Sequence, residues 1–474
     1  MIEVHNSHIR LTNYTLGDSK GLERLLSVWD SVRFEVSWAN MMYLEDKKEL
    51  RIPGGFPISS VRKFFPYEDL VYSKKPTVSA SASYKCDVKP KDDKQKEAID
   101  FLTGSVDETA NATERMLCLQ TGGGKTYCTI HALSKIKKRS MIVVDQEKIM
   151  LQWRDEFIKF TNLTEDDIYL ISGRNSVDAL MKKKKSEIRY KVIIAMHQTL
   201  GSLEKEVTDL YEHCKIGVNV FDEAHCYAAN MFNINFLTDS ELTIYLTATP
   251  NRSKKQEDDV YQASFKNVPK YGLEDKFDSP YHNIYYISYD SKPSYNTICS
   301  CQTKRGFDTN RFSDYTFDKS YDIFYEVVLK LLKITLKNPA MGKTCIIVHK
   351  NDHLTKLKTD LEADFPDIEI GVFSSLISDG KKREKELNKK VILSTDKSMG
   401  KAVNCENLQF IIMAVPTSSL VVAEQTLGRL RKLDGKKVMY FDVIDRGFKT
   451  CSNQRTQRRK ILDKKACSIN ILDL

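Results

Sequence analysis

The chain has 474 residues, 41% hydrophobic and 29% charged, with a formal charge of +9 and a pI near 8.8. That length exceeds one typical hydrophobic core and implies two large domains plus a smaller one. The mild basic excess permits an anionic polymer as partner. The absence of any run of 18 apolar residues excludes a spanning helix, and eleven cysteines without a CxxC pair exclude a zinc knuckle.

From Met1 to about residue 85, alternating stretches such as "HIRLTNY" and "VRFEVSW", followed by "LRIPGGFPISSVRKFF", predict a small α+β unit. Arg51, Arg62, Lys63, Phe64 and Phe65 make it either a duplex-binding module or a small packing domain. "SKKPTVSASASYK" carries few large apolar residues and reads as a linker. From 86 to 275, short apolar runs ("RMLCLQ", "SMIVVD", "KVIIAM", "GVNVFDEAH", "LTIYLTATP") alternate with helical segments, as in a buried parallel sheet. From 276 to 474 the texture repeats in "TCIIVHK", "IEIGVF", "KVILSTD", "LQFIIMAV" and "KKVMYFDVID", ending in a basic tail, "QRTQRRKILDKK". The polar, Tyr-rich segment before this last group reads as a linker with a hairpin or as a specialised insertion. "MKKKKSE" at Met181 reads as a solvated helix face.

Within the second zone, "LQTGGGKT" (Leu119–Thr126) joins an apolar strand to a helix. Gly122, Gly123 and Gly124 let successive backbone N–H groups turn toward an anion, and the helix N-terminus adds its positive end. Lys125 supplies a point charge for phosphates, and the Thr126 hydroxyl can hold Mg²⁺. About a hundred residues on, "VNVFDEAHCY" ends an apolar strand in two carboxylates. Asp222 is placed to hold Mg²⁺ through water and Glu223 to polarise an attacking water. A glycine loop and an acidic strand end at this spacing predict a nucleoside-triphosphate-hydrolysing core.

The order "LQTGGGKT", "DEAH", "LTATP" and, near the end of the third zone, "EQTLGRLRK" resembles the superfamily 2 helicases and translocases over roughly residues 90 to 445. The resemblance implies two tandem RecA-like α/β domains behind a small N-terminal α+β domain, with ATP and Mg²⁺ as cofactors. It further implies an adenine-reading role for Gln95, and Thr121 as part of the phosphate loop. His225 would bridge to the second domain, and Thr247 and Thr249 would couple phosphate state to domain movement. Gln425 and Arg429 fit Q-x-x-G-R-x-x-R, with Arg431 the preferred second arginine although Lys432 holds the expected register. Gln152 and Trp153 in "LQWRDEF", His197 and Thr199 in "AMHQTL", and Ser394 and Thr395 in "VILSTDKSMGKAVN" correspond to nucleic-acid-facing motifs. Trp153 is equally readable as core. Ala402-Val403-Asn404 departs from the Gly-x-Asp of many relatives.

The group that looks most similar comprises XPB, RecG-like remodellers and UvsW-type phage branch-migration helicases. That implies branched or forked DNA as partner, with fork regression and branch migration as activities, and a soluble cytoplasmic monomer. A phage-encoded protein in a host cytoplasm fits this. An RNA helicase, a motor subunit of a restriction or transcription assembly, and a scaffold with a dead NTPase are the alternatives. Strand separation needs a wedge, for which "CSCQTKRGFDTNRF" and "NQRTQRRK" are candidates.

Overall fold

The computed structural model describes the chain apart from residues 31–34, 74–78, 120–121, 225, 227, 249–254, 273–279, 304–305, 339, 375–376, 378–381, 383–384, 400–404 and 434. It forms two compact units, Met1–Asp275 and Lys276–Leu474.

The first unit opens with a five-stranded sheet in the spatial order Met42–Leu44, Glu49–Pro53, His8–Thr12, Ile2–Val4, Leu70–Tyr72. Its pairings are antiparallel except the last, where Ile2–Val4 runs parallel to Leu70–Tyr72. The inward side chains Ile2, Ile9, Leu11, Leu50 and Ile52 build a small core of their own. This sheet is also bonded to the larger domain behind it. The Asn6 and Ser7 amides donate to Asp239 at 2.8 and 3.1 Å, and Thr113 Oγ1 donates to the Asn6 carbonyl at 2.7 Å. Arg51, a candidate for duplex contact, is consumed here by Glu49 at 2.5 Å and the Phe236 carbonyl. Phe65 packs on Tyr14 and Phe64 lies against Gly21, whereas Arg62 and Lys63 stay exposed. "RKFF" is therefore half core and half surface.

Behind it stands a seven-stranded, all-parallel sheet, ordered Ile168–Ile171, Val192–Met196, Ser140–Val144, Val218–Phe221, Leu242–Leu246, Glu114–Leu117, Lys270–Tyr271. Its central strands are buried on both faces, which is why they read as unbroken apolar runs rather than alternating ones. The helix Asp93–Thr103 starts on Asp92, whose carboxylate accepts the Gln95 amide at 2.9 Å, and stops on Gly104 at φ 79°.

The second unit is a second all-parallel sheet, ordered Ile370–Phe373, Val391–Thr395, Lys343–Val348, Leu408–Met413, Val438–Asp445, His282–Tyr289, Ala466–Asp473. Each face carries its own apolar cluster. The two parallel sheets and the small mixed sheet make the fold two tandem RecA-like domains with an N-terminal α+β domain.

Two features of the second unit depart from the sequence reading. "QRTQRRK" is not a free basic tail: it lies in the helix Lys449–Leu462, with Arg455 and Arg458 buried against Asp442 at 2.8 and 2.7 Å. Those arginines fill the core and do not form a wedge. The residues after that helix enter the sheet as its last strand, Ala466–Asp473. The polar insertion holds the helix Tyr295–Ser300, a hairpin of Gln302–Thr303 with Gly306–Phe307, and the helix Thr309–Asp318. Phe307 roots the hairpin against Phe312 and Phe448, and Lys304 and Arg305 between its strands lie outside the described residues. Among the described residues no helix is long and apolar enough to cross a membrane.

Candidate functional site

The strand Glu114–Leu117 delivers the chain to the glycine loop, and the helix Lys125–Ile136 leaves it. Gly122 and Gly124 sit at φ 84° and 89°, in the left-handed region that glycine enters without strain. At Gly124 there is a second reason for glycine: a Cβ there would come within 2.4 Å of Gln95 Nε2. No side chain caps this helix, and its first turn holds no acidic residue. Its leading N–H groups are therefore left to an anion, as in a phosphate cradle. Lys125 Nζ donates to the Leu119 carbonyl at 2.9 Å, which holds the ammonium over the loop. Gln95 is buried beside the loop, its Oε1 accepting the Lys91 amide at 3.1 Å, so the residue expected to read adenine does stand against the glycines.

Asp222 follows the end of the strand Val218–Phe221, separated from the loop's strand by Leu242–Leu246. Its Oδ2 accepts a hydrogen bond from Trp153 Nε1 at 2.8 Å, and its Oδ1 accepts the Glu223 amide at 3.0 Å. Burial and the adjacent Glu223 push its carboxyl up to about 6, against the pull of the Trp153 hydrogen bond and the Lys125 charge. Lys125 is thus close enough for its charge to act on this carboxylate. Glu223 itself takes φ 48°, an uncommon conformation for a non-glycine residue and one frequent at functional turns.

The donor set suits Mg²⁺ with a nucleotide: a hard carboxylate, Asp222, just past a strand end, and a hydroxyl, Thr126, in the first turn of the helix that leaves the glycine loop with its lysine. A phosphate-bound Mg²⁺ held there would neutralise charge on the phosphate oxygens.

Trp153 is buried within the helix Glu147–Phe160, so its indole does not reach a polymer; it orients Asp222. Because it acts through a carboxylate, its loss registers in metal use as well as in fold. Trp153→Phe is expected to raise the Mg²⁺ concentration for half-maximal ATP hydrolysis about 10-fold. Its melting temperature should also fall, since the change leaves a buried acceptor unsatisfied, about 1–3 kcal/mol, and a small cavity. An unchanged Mg²⁺ requirement with lowered stability would leave Trp153 a packing residue only.

The other nucleic-acid candidates divide by exposure. Gln152 is exposed, bonded to Glu156 at 2.9 Å. His197 and Thr199 are buried; His197 Nε2 lies 3.1 Å from Asp145 Oδ1 and its Nδ1 3.0 Å from Asn230 Nδ2. Ser394 is buried on the Phe373 carbonyl at 2.8 Å, and Thr395 on Ser398 at 2.9 Å. Trp153, His197, Ser394 and Thr395 are thus buried side chains bonded to neighbouring groups at or near the strand ends, and Thr199 is buried in the helix His197–Ser202. Asp145 was missed from sequence. Its position at the end of "SMIVVD" was the available signal, the same signal that marked Asp222.

Thr247 is buried, its amide donating to the Leu117 carbonyl at 3.1 Å, which ties the end of the strand Leu242–Leu246 to the strand feeding the loop. Gln425 and Arg429 flank the end of the helix Leu420–Leu427, both partly buried, and Arg431 and Lys432 are exposed. Thr121, His225 and Thr249 lie outside the described residues, as does Ala402-Val403-Asn404.

Residues 89–252 match the family model described as type III restriction enzyme, res subunit. A DNA 3'-5' helicase XPB of Kineococcus radiotolerans is 30% identical over 187 residues, covering 39% of this chain and 30% of that protein. A transcript termination protein of Yaba monkey tumor virus is 24% identical over 328 residues, covering 66% of this chain and 64% of that protein. The chain thus spans less than a third of the XPB relative's length. Among solved structures, S. cerevisiae Dbp5 bound to RNA and ADP BeF3 aligns with a TM-score of 0.55 at 12% identity, covering 80% of this chain and 89% of that one, a likeness of fold. T4 UvsW aligns over 100% of this chain and 99% of its own at 16% identity, with a TM-score of 0.37, too low to bear on fold or function.

Proposed function

We propose, for a chain that carries the motor of a superfamily 2 helicase or translocase, ATP-driven remodelling of branched DNA: fork regression and migration of Holliday junctions. The observation that carries the ATPase is Asp222, oriented by Trp153 at a strand end beside the loop of Gly122, Gly124 and Lys125. DNA rather than RNA is favoured by relatives named as DNA helicases.

In this reading the loop amides and Lys125 bind the phosphates, with Thr121 and Gly123 completing the loop and Gln95 reading the base. Glu223 takes the proton of the attacking water. Arg429, with Arg431 and Gln425, adds charge and contacts to the transferring phosphate. His225, Thr247 and Thr249 relay loss of the γ-phosphate into movement, and loss of its contacts releases the closed state. Grip on DNA is mostly to phosphates and carries little sequence information.

The test is ATP hydrolysis with single-stranded DNA, duplex DNA, a four-way junction and single-stranded RNA. Strongest stimulation by the junction supports the proposal, and raising salt should weaken DNA binding steeply. Stimulation by RNA alone overturns the substrate and leaves the motor.

A second reading is the motor subunit of a transcription assembly. It is favoured by the transcript termination relative and by an XPB subunit of general transcription and DNA repair factor IIH, 27% identical over 166 residues. Such a chain would hydrolyse ATP slowly with every naked nucleic acid and speed up only with its assembly.

A further inference from the structure

Among the described residues the last strand of the second unit, Ala466–Asp473, is an edge strand, paired on one side only, with His282–Tyr289. The opposite edge of the same sheet is guarded. Ile370–Phe373 is four residues long, a Cβ on its Gly371 would come within 2.3 Å of the Glu386 carbonyl, and Glu386 Oε2 accepts the Val372 amide at 2.9 Å. Ala466–Asp473 is eight residues long and, from Ala466 to Leu472, contains no charged residue and no proline. Charges, prolines and short length are the usual guards of an open edge. The one irregularity is a register shift at its start, opposite His282 and Asn283.

This edge is also apolar. Ile469 is 42% exposed, Ile471 62% and Leu472 44%. Ile469 and Ile471 stand beside Ile284 and Tyr286 in the register, so both project from the same face. The Leu474 amide bonds back to the Ser288 carbonyl at 2.8 Å. Alternation along a parallel strand then turns the N–H and C=O groups of Ile469, Ile471 and Asp473 away from the sheet, to the open side.

We propose that this edge pairs with the same edge of a second copy of the chain, antiparallel, about a two-fold axis at Asn470. The sequence Ile469-Asn470-Ile471 reads the same in both directions. A two-fold at Asn470 therefore sets Ile469 of one copy opposite Ile471 of the other, twice, on one face. The groups turned outward on one copy meet those turned outward on the other, which is the pairing an antiparallel ladder requires. Two-folds at Ile469 or at Ile471 keep the same hydrogen-bonding phase but join one isoleucine pair each, whereas the two-fold at Asn470 joins two. A strand pair is a small interface, so the dimer belongs to the weak, concentration-dependent class. It departs from the monomer expected from sequence.

The experiment is sedimentation of the full chain from low to high micromolar concentration. The wild-type mass should rise from 54.5 kDa toward twice that value, and Ile471→Lys should hold it at one chain throughout. Ile471 is largely exposed, so the variant should keep its melting temperature and its ATPase rate without nucleic acid. As an independent check, Asn470→Cys in a Cys467→Ser background should give a covalent dimer on mild oxidation, because the two new thiols face each other across the axis. A wild-type mass that stays at one chain, or a dimer that survives Ile471→Lys, overturns the proposal. So does a variant that changes DNA affinity alone, which would assign the edge to nucleic acid.

Discussion

Lys125→Ala is expected to lower kcat for ATP hydrolysis by at least about 10²–10³-fold, the loss typical when one fixed charge is removed from a developing anion. It should do so without destabilising the protein, and the reason is visible at the helix start. Lys125 is the first residue of Lys125–Ile136, where a cation opposes the helix dipole, and no acidic residue offsets it in that turn. Among the described residues its Nζ donates to the Leu119 carbonyl at 2.9 Å, a neutral acceptor in a glycine loop. Removing a cation from a helix N-terminus gains about 0.3–1 kcal/mol. With the lost attraction to the buried Asp222 carboxylate set against that gain, the variant should melt near the wild-type temperature while hydrolysing almost nothing. A variant that is both inactive and markedly less stable would mean that Lys125 holds the loop together and would weaken its phosphate role. Lys125→Arg should rescue poorly, because a planar guanidinium does not replace a compact ammonium inside a tight loop.

That conflict between stability and charge is what made the loop legible in sequence. Glycines followed by lysine at a helix start are a poor local choice for folding, so they stand out. Asp222 and Glu223 stood out for a related reason, as two carboxylates closing the apolar run "VNVF". Both parallel sheets were legible because strands buried on two faces appear as short unbroken apolar runs. What stayed hidden depended on partners distant in sequence. Nothing near Trp153 shows that its indole meets Asp222, 69 residues away. Nothing near Arg51 shows that it also reaches the Phe236 carbonyl, 185 residues away. His282–Tyr289 and Ala466–Asp473 were not separated from their polar and basic surroundings. Their burial depends on each other and on Val438–Asp445.

The basic run near the chain's end is the sharpest case, and it carries the second large prediction. Asp442→Ala is expected to destabilise the second unit by about 3–5 kcal/mol, the cost of leaving buried charge without its counter-ion. Asp442 is fully buried on the strand Val438–Asp445. Arg458, also fully buried, meets its Oδ1 through Nε at 3.0 Å and Nη2 at 2.7 Å, and Arg455 Nε meets its Oδ2 at 2.8 Å. Arg455 continues to Ser288 Oγ at 2.9 Å and to the Ile287 carbonyl at 2.5 Å, and Arg458 reaches the Thr417 carbonyl. One carboxylate thus organises two guanidiniums that tie three segments together. Remove it, and two cations remain in an apolar interior with only neutral acceptors. For a unit of this size the loss corresponds to a melting temperature lowered by about 10 °C, read by calorimetry. The ion set is costly as well as cohesive, so the combined change Asp442→Leu, Arg455→Met and Arg458→Met should recover most of that loss, because apolar groups of similar volume need no desolvation. If Asp442→Ala melts within a degree or two of wild type, the arginines are reaching water when the carboxylate is gone. Their burial would then be incidental, and the run would again be available to DNA.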